Sequence, residues 1–123
     1  MSNKNKGFRR LIRALRYTIA GFNAAWIHEE AFRQEMIIAV LVFPLGIWLG
    51  ESGTQKAILI GIYFIIPLAE LLNSAIEAVI DRIGKERNAL SGRAKDLGSA
   101  AVFLSICIVL IVWGMIACER FMK

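Results

Sequence analysis

Cysteine, proline and histidine are scarce in this chain, with two, two and one among 123 residues. Cys107 and Cys118 stand eleven positions apart on one apolar stretch. On a helix that is about three turns, too far for the two to bridge one another, so both read as packing residues. No CxxC pair or Cys/His cluster occurs, which excludes a disulfide framework and a zinc site. A Walker A loop is missing too, and with it the P-loop class of nucleotide-binding fold. His28 has no partner at ligand spacing and reads as a hydrogen-bonded interfacial residue. No cleavable leader precedes the apolar blocks, so the first of them is expected to direct insertion itself.

What the chain has is apolar length. Hydrophobic residues make up 57% and fall in blocks, at 36–50, at 57–69 with an amphipathic continuation to 83, and at 97–118. The third reaches the roughly 20 residues that a bilayer needs, and the first reaches it once the polar turn at 30–35 is added. The expectation is an all-α integral membrane protein in one membrane-embedded domain, 1–123. It would have transmembrane helices at 30–50, 55–83 and 92–119 and an amphipathic surface helix at 7–27. Pro44 and Pro67 are expected to kink the first two spans. So thin a chain encloses a site by sharing it between copies, which points to an oligomer.

The surface helix is read from Phe8, Leu11, Ile12, Leu15, Ile19, Phe22 and Trp26, which recur at helical spacing with Arg9, Arg10, Arg13 and Arg16 on the other face. Basic side chains would meet anionic head groups, and Trp26 would anchor the end. Arg10 and Tyr17 share a face that can reach a phosphate. The 84–96 loop is long and basic whereas the 50–56 turn carries little charge. The positive-inside rule therefore places the N-terminus and the second loop in the cytoplasm.

Polar residues interrupt the second span at Glu70, Asn73, Glu77 and Asp81. Steps of three and four put them in one stripe of a helix. Ionisable groups within a span cost about 2.5 to 3.5 kcal/mol each even on the gentler insertion scale, and usually mark function. A polar seam between helices is the plainer alternative. The turn at 27–35 adds Glu29, Glu30 and Glu35, and a hard divalent cation needs more oxygen ligands than Glu77 alone supplies. Lys95 and Asp96 fall at the same membrane edge, followed by Gly98, Ser99, Ala100 and Ala101, which permit close helix approach. A cation-and-lysine site at head-group depth suits phosphoryl transfer from a soluble nucleotide to a lipid, chemistry that is mostly positioning and charge neutralisation.

The E-x-x-N-x-x-x-E-x-x-x-D pattern from Glu70 to Asp81, the G-R-A-K-D run from Gly92 to Asp96 and the segment from Glu30 to Glu35 closely resemble the prokaryotic integral-membrane diacylglycerol kinases, and the likeness spans essentially the whole chain. It implies a homotrimer in the bacterial inner membrane, three transmembrane helices and a surface helix per subunit, and active sites completed between subunits on the cytoplasmic side. It also implies magnesium-dependent transfer of the ATP γ-phosphate to sn-1,2-diacylglycerol, giving phosphatidic acid, and no nucleic-acid partner. By the same resemblance Glu70 is the general base, and Glu29 and Glu77 hold the metal. Arg10, Tyr17, Lys95, Asp96 and the Glu86-Arg87-Asn88 loop meet the nucleotide. Arg10, Trp26, Gln34, Glu35, Trp48, Asn73, Ser99 and Trp113 join Glu70 on the lipid side. Two features depart from the pattern: Asn88 stands where relatives often have histidine, and the surface helix reads Arg16-Tyr17-Thr18-Ile19-Ala20-Gly21. Undecaprenol is the alternative lipid. An alternative of another class is a small oligomeric transporter or scaffold with Glu70 and Glu77 as proton- or cation-binding groups, though it leaves the gathering of Lys95, Asp96 and Glu29 at one edge unexplained.

Overall fold

In hydrocarbon the backbone has no partner but itself, so long apolar stretches must close their hydrogen bonds within helices. The computed structural model describes residues 3–84, 86 and 88–123. It shows five helices among them: α1 (Asn3–His28), α2 (Glu30–Leu49), α3 (Gly53–Tyr63), α4 (Ile65–Ile83) and α5 (Ala89–Phe121). Three stretches, Glu30–Leu49, Gly53–Ile83 and Ala89–Phe121, are long and apolar enough to cross a membrane.

The second of these is one span with a joint. Pro67 has no N–H to give the Tyr63 carbonyl, and its ring crowds that carbonyl. The helix accordingly breaks at Phe64, whose N–H turns back three residues to the Gly61 oxygen at 3.2 Å before the ladder resumes with Leu68 N–H on the Phe64 oxygen at 3.1 Å. Pro44 has a milder effect, since α2 runs through it without a break in the helix.

Side-chain contacts fix an up-down-up register. From one end to the other, α5 meets the second span at Lys95 with Asp81, Trp113 with the Leu59 carbonyl, and Glu119 with Gln55. α2 runs against the same span, with the Tyr63 hydroxyl donating to the Glu35 carbonyl at 2.5 Å. Near the opposite end a Cβ on Gly46 would stand 2.8 Å from Ile60 Cγ1, so only glycine lets α2 and α3 close there. The core between the spans is small: Ala39, Val42, Tyr63, Ile66 and Val109, flanked by Ile65 and Trp113. Within the chain only 28%, 22% and 11% of the apolar windows of the three spans are buried, so most of their surface faces outward. That is the pattern of a protein whose solvent is lipid.

The α2–α3 turn and the C-terminus lock together. Arg120 donates to the Leu49 carbonyl at 3.2 Å with its guanidinium 5.2 Å from the Trp48 ring centre and 5.8 Å from that of Phe121. Gln55 donates to Glu119, and Lys123 pairs with Glu51 at 2.9 Å. The Lys123 hydrogen bond holds the Glu51 carboxyl below its ordinary value. Its contribution is therefore present above the usual carboxylate range and lost as pH falls through that lowered value. Arg120→Ala removes a charge-assisted hydrogen bond and two ring contacts, and is expected to destabilise the fold by about 2 kcal/mol. Lys123→Ala, on an exposed pair, should have a far smaller effect. Denaturant unfolding in mixed micelles checks the order, and equal losses would dissolve the distinction.

Candidate functional site

The site is built on the elbow between α1 and α2. α1 ends at His28, Glu29 is extended at φ −115°, ψ 103°, and α2 begins at Glu30. The last carbonyls of α1 have no partner within that helix, and Arg33 supplies one from the next. Its Nη1 donates to the Trp26 oxygen at 2.7 Å and to the Ile27 oxygen at 3.0 Å. Phe32, buried beside it, stacks on Phe22 of α1 with ring centres 6.3 Å apart. Arg33→Ala should loosen the elbow by about 2 kcal/mol, the scale of a hydrogen bond to a charged group. Amide hydrogen exchange at residues 26–30 in micelles would then speed up at least roughly tenfold. Arg33→Lys should recover part of the protection, and unchanged exchange would refute the capping role.

The elbow delivers Glu29 to α4. Its side chain accepts no hydrogen bond from the first turn of α2, although it occupies the N-cap position. Instead it lies within electrostatic range of Glu70, as does Glu77. From α2, Glu35 too lies within electrostatic range of Glu70. On α4, Glu70, Asn73 and Glu77 are half-buried on one stripe while Asp81 is exposed. Asn73 Nδ2 donates to Glu77 Oε1 at 3.3 Å. Among the described residues two side-chain oxygens are buried without a hydrogen-bond partner, Glu35 Oε2 and Asn73 Oδ1. Glu29, Glu35 and Glu77 thus all lie within electrostatic range of Glu70, where like charges repel and a cation would relieve them.

One to three turns along α4 lies a second feature, an open hollow with polar side chains at its wall. A cavity of about 630 Å³ is lined by Asp81, Gly84, Glu86, Asn88, Ser91 and Lys95, among others. Lys95 Nζ reaches Asp81 Oδ1 at 3.1 Å across its floor. Asn88 caps α5, its Oδ1 accepting from Leu90 N–H at 2.8 Å and Ser91 N–H at 3.3 Å. The departure at this position therefore has a structural use, since asparagine is among the best N-caps. Glu86 lines the cavity, and Arg87 lies outside the described residues.

A third hollow, about 590 Å³, separates α1 from α4, with Glu29 at its edge and small residues such as Gly21, Ala25, Ser74 and Ala78 along its walls. Trp26 lines a neighbouring groove with Phe32 and Met36. Arg10, Tyr17, Gln34, Asp96 and Ser99 are exposed. Trp48 and Trp113 are not brought to this cluster: Trp113 donates to the Leu59 carbonyl and Trp48 lies against Arg120. The Arg33 cap was not legible in the residue pattern, because it depends on how sharply the chain turns at Glu29.

Among the described residues no three His, Cys, Asp or Glu side chains converge closely enough to hold a metal by themselves. Magnesium, however, is commonly held by one or two carboxylates together with substrate phosphates. Glu29 and Glu77, hard oxygen donors from different elements that both lie within electrostatic range of Glu70, are of the donor type that such a site uses.

Residues 16–117 match the family model described as prokaryotic diacylglycerol kinase. The chain is 45% identical to a diacylglycerol kinase of Escherichia coli over 121 residues, 98% of this chain and 99% of that one. It is 47% identical to one of Haemophilus influenzae over 111 residues, covering 90% and 94%. With one of Pseudomonas aeruginosa it shares 41% over 110 residues, 89% of each.

Proposed function

Since the chain belongs to the prokaryotic diacylglycerol kinase family, we propose that it phosphorylates its lipid at the carboxylate cluster on α4, with Glu70 as the general base. Membership makes it an ATP-dependent kinase of the membrane with diacylglycerol as substrate. The observation that carries the assignment of the site is that Glu29, Glu35 and Glu77 all lie within electrostatic range of Glu70, next to an open cavity that holds Lys95.

In this reading the lipid hydroxyl lies against Glu70, which takes its proton as the hydroxyl oxygen bonds to the γ-phosphorus. The bond from that phosphorus to the β–γ bridging oxygen breaks, and ADP leaves with the electron pair. The products are phosphatidic acid and ADP. Glu29 and Glu77 would hold magnesium, which supplies charge neutralisation for the triphosphate. Lys95 swings from Asp81 to the phosphates, with Asp96, Glu86, Arg87, Arg10 and Tyr17 around the nucleotide and Asn88 fixing the loop. Glu35, Asn73, Gln34, Ser99 and Trp26 shape the lipid side.

The surrounding arrangement belongs to the same proposal. α1 lies as an amphipathic helix at the surface of the bacterial inner membrane, in keeping with its exposed Phe8, Leu11, Leu15 and Ile19. The basic second loop keeps the site cytoplasmic. Three copies complete it, a state supported by the little burial that the spans achieve alone.

The test is transfer of labelled γ-phosphate from MgATP in mixed micelles offering diacylglycerol and undecaprenol side by side. Labelled phosphatidic acid is expected. Label on undecaprenol alone would keep the chemistry and change the lipid, and label on neither would favour a transporter or scaffold.

A further inference from the structure

Asn73 donates to Glu77 from a pocket that α5 closes. Gly98, buried at the start of the apolar part of α5, is the residue opposite. A Cβ on it would lie 2.0 Å from Asn73 Oδ1, 3.1 Å from its Cγ and 3.7 Å from its Cβ. No carbon can approach an amide oxygen so closely, so any side chain at 98 must evict the Asn73 amide from its present place. That amide is short, with one rotatable bond between Cβ and the carboxamide, and its nitrogen is already committed to Glu77 Oε1 at 3.3 Å. Its oxygen is buried with no hydrogen-bond partner. A buried amide oxygen without a partner is costly, and it persists only where the surroundings over-determine the orientation. Turning the amide over would give its oxygen to the Glu77 carboxylate, two acceptors facing one another. The backbone of α5 at Gly98 and the charge of Glu77 therefore select one rotamer of Asn73 between them.

We infer that Gly98 is a positioning residue for Glu77: by carrying no side chain it seats the Asn73 amide, whose N–H fixes the carboxylate that takes the divalent cation. The inference rests on the reading of Glu77 as a metal-holding residue. Its role differs from that of an ordinary small residue in a helix crossing, because what fills the space is a polar group joined to the site rather than a neighbouring apolar chain. Removing an outer hydrogen-bond partner of a metal-holding group typically weakens metal affinity about 10–100-fold.

Binding of Mn²⁺ to the full-length protein in micelles, followed by electron paramagnetic resonance with a non-hydrolysable ATP analogue present, tests this without turnover. Gly98→Ala is expected to weaken Mn²⁺ binding about tenfold. Asn73→Ala should do the same, and the double substitution should be no weaker than Asn73→Ala, since the clash disappears with the amide. Unchanged affinity in Gly98→Ala, or a double substitution weaker by the sum of the two, overturns the inference. Should Gly98→Ala fail to fold, the double substitution decides. A folded protein with the affinity of Asn73→Ala supports the inference, and an unfolded or weaker one overturns it, because Gly98 would then make room for something else. Glu77→Gln separates the two levels: full Mn²⁺ affinity there removes the metal role of Glu77 and the inference with it, whereas a loss there with none in Gly98→Ala removes the inference alone.

Discussion

Glu70→Gln is expected to slow phosphoryl transfer about 10²–10⁴-fold, the contribution of a positioned base, while nucleotide affinity changes by no more than a few fold. The substitution is nearly isosteric and leaves the shape of α4 intact, but an amide cannot accept the hydroxyl proton. It also removes one of the charges that repel Glu29, Glu35 and Glu77, so folding should not suffer. Single-turnover transfer to diacylglycerol and equilibrium binding of an ATP analogue, measured on the same preparation, separate the two quantities. A variant that turns over normally would remove Glu70 from the chemistry. One that has lost the nucleotide instead would reassign it to binding.

Glu77→Gln is expected to act differently, raising the magnesium concentration needed for half-maximal rate by roughly tenfold or more and weakening nucleotide binding in step. The coupling is the diagnostic part. A metal shared between the protein and the triphosphate ties the two affinities together, so a lost carboxylate is felt in both. Titrating magnesium at fixed nucleotide and nucleotide at fixed magnesium measures the coupling directly. A lowered maximal rate with an unaltered magnesium requirement would place Glu77 outside the metal site.

Much of this was legible in the residues because the relevant signals are periodic. Apolar length gives the three span-forming stretches, and the steps of three and four from Glu70 to Asp81 put those side chains on one stripe of a helix. Contacts that depend on angles between elements were not legible. Arg33 reaches back seven positions to Trp26 only because the chain turns at an extended Glu29. Lys95 at the start of α5 finds Asp81 near the end of α4, fourteen positions away. Trp113 is expected on the lipid side, yet in an apolar medium its indole N–H requires an acceptor, and the Leu59 carbonyl supplies one from the neighbouring helix. Asn88 is the opposite case. An asparagine just before a helix is a recognisable N-cap, and Asn88 serves as one for α5.

The lock between Arg120, Lys123 and the α2–α3 turn sets how the molecule would come apart under load. A force applied at the C-terminus travels down the backbone of α5 and, through Arg120, also loads the Leu49 carbonyl at the first hairpin. Extraction from the bilayer by the C-terminus should therefore begin with a rupture at that end, and the carboxylates around Glu70 should stay assembled until it has happened. Pulling on α1 loads the Arg33 cap first and so disturbs Glu29 at the outset. A chain tethered by its C-terminus is the one expected to keep the end that carries Glu29 and Glu70 intact at low tension.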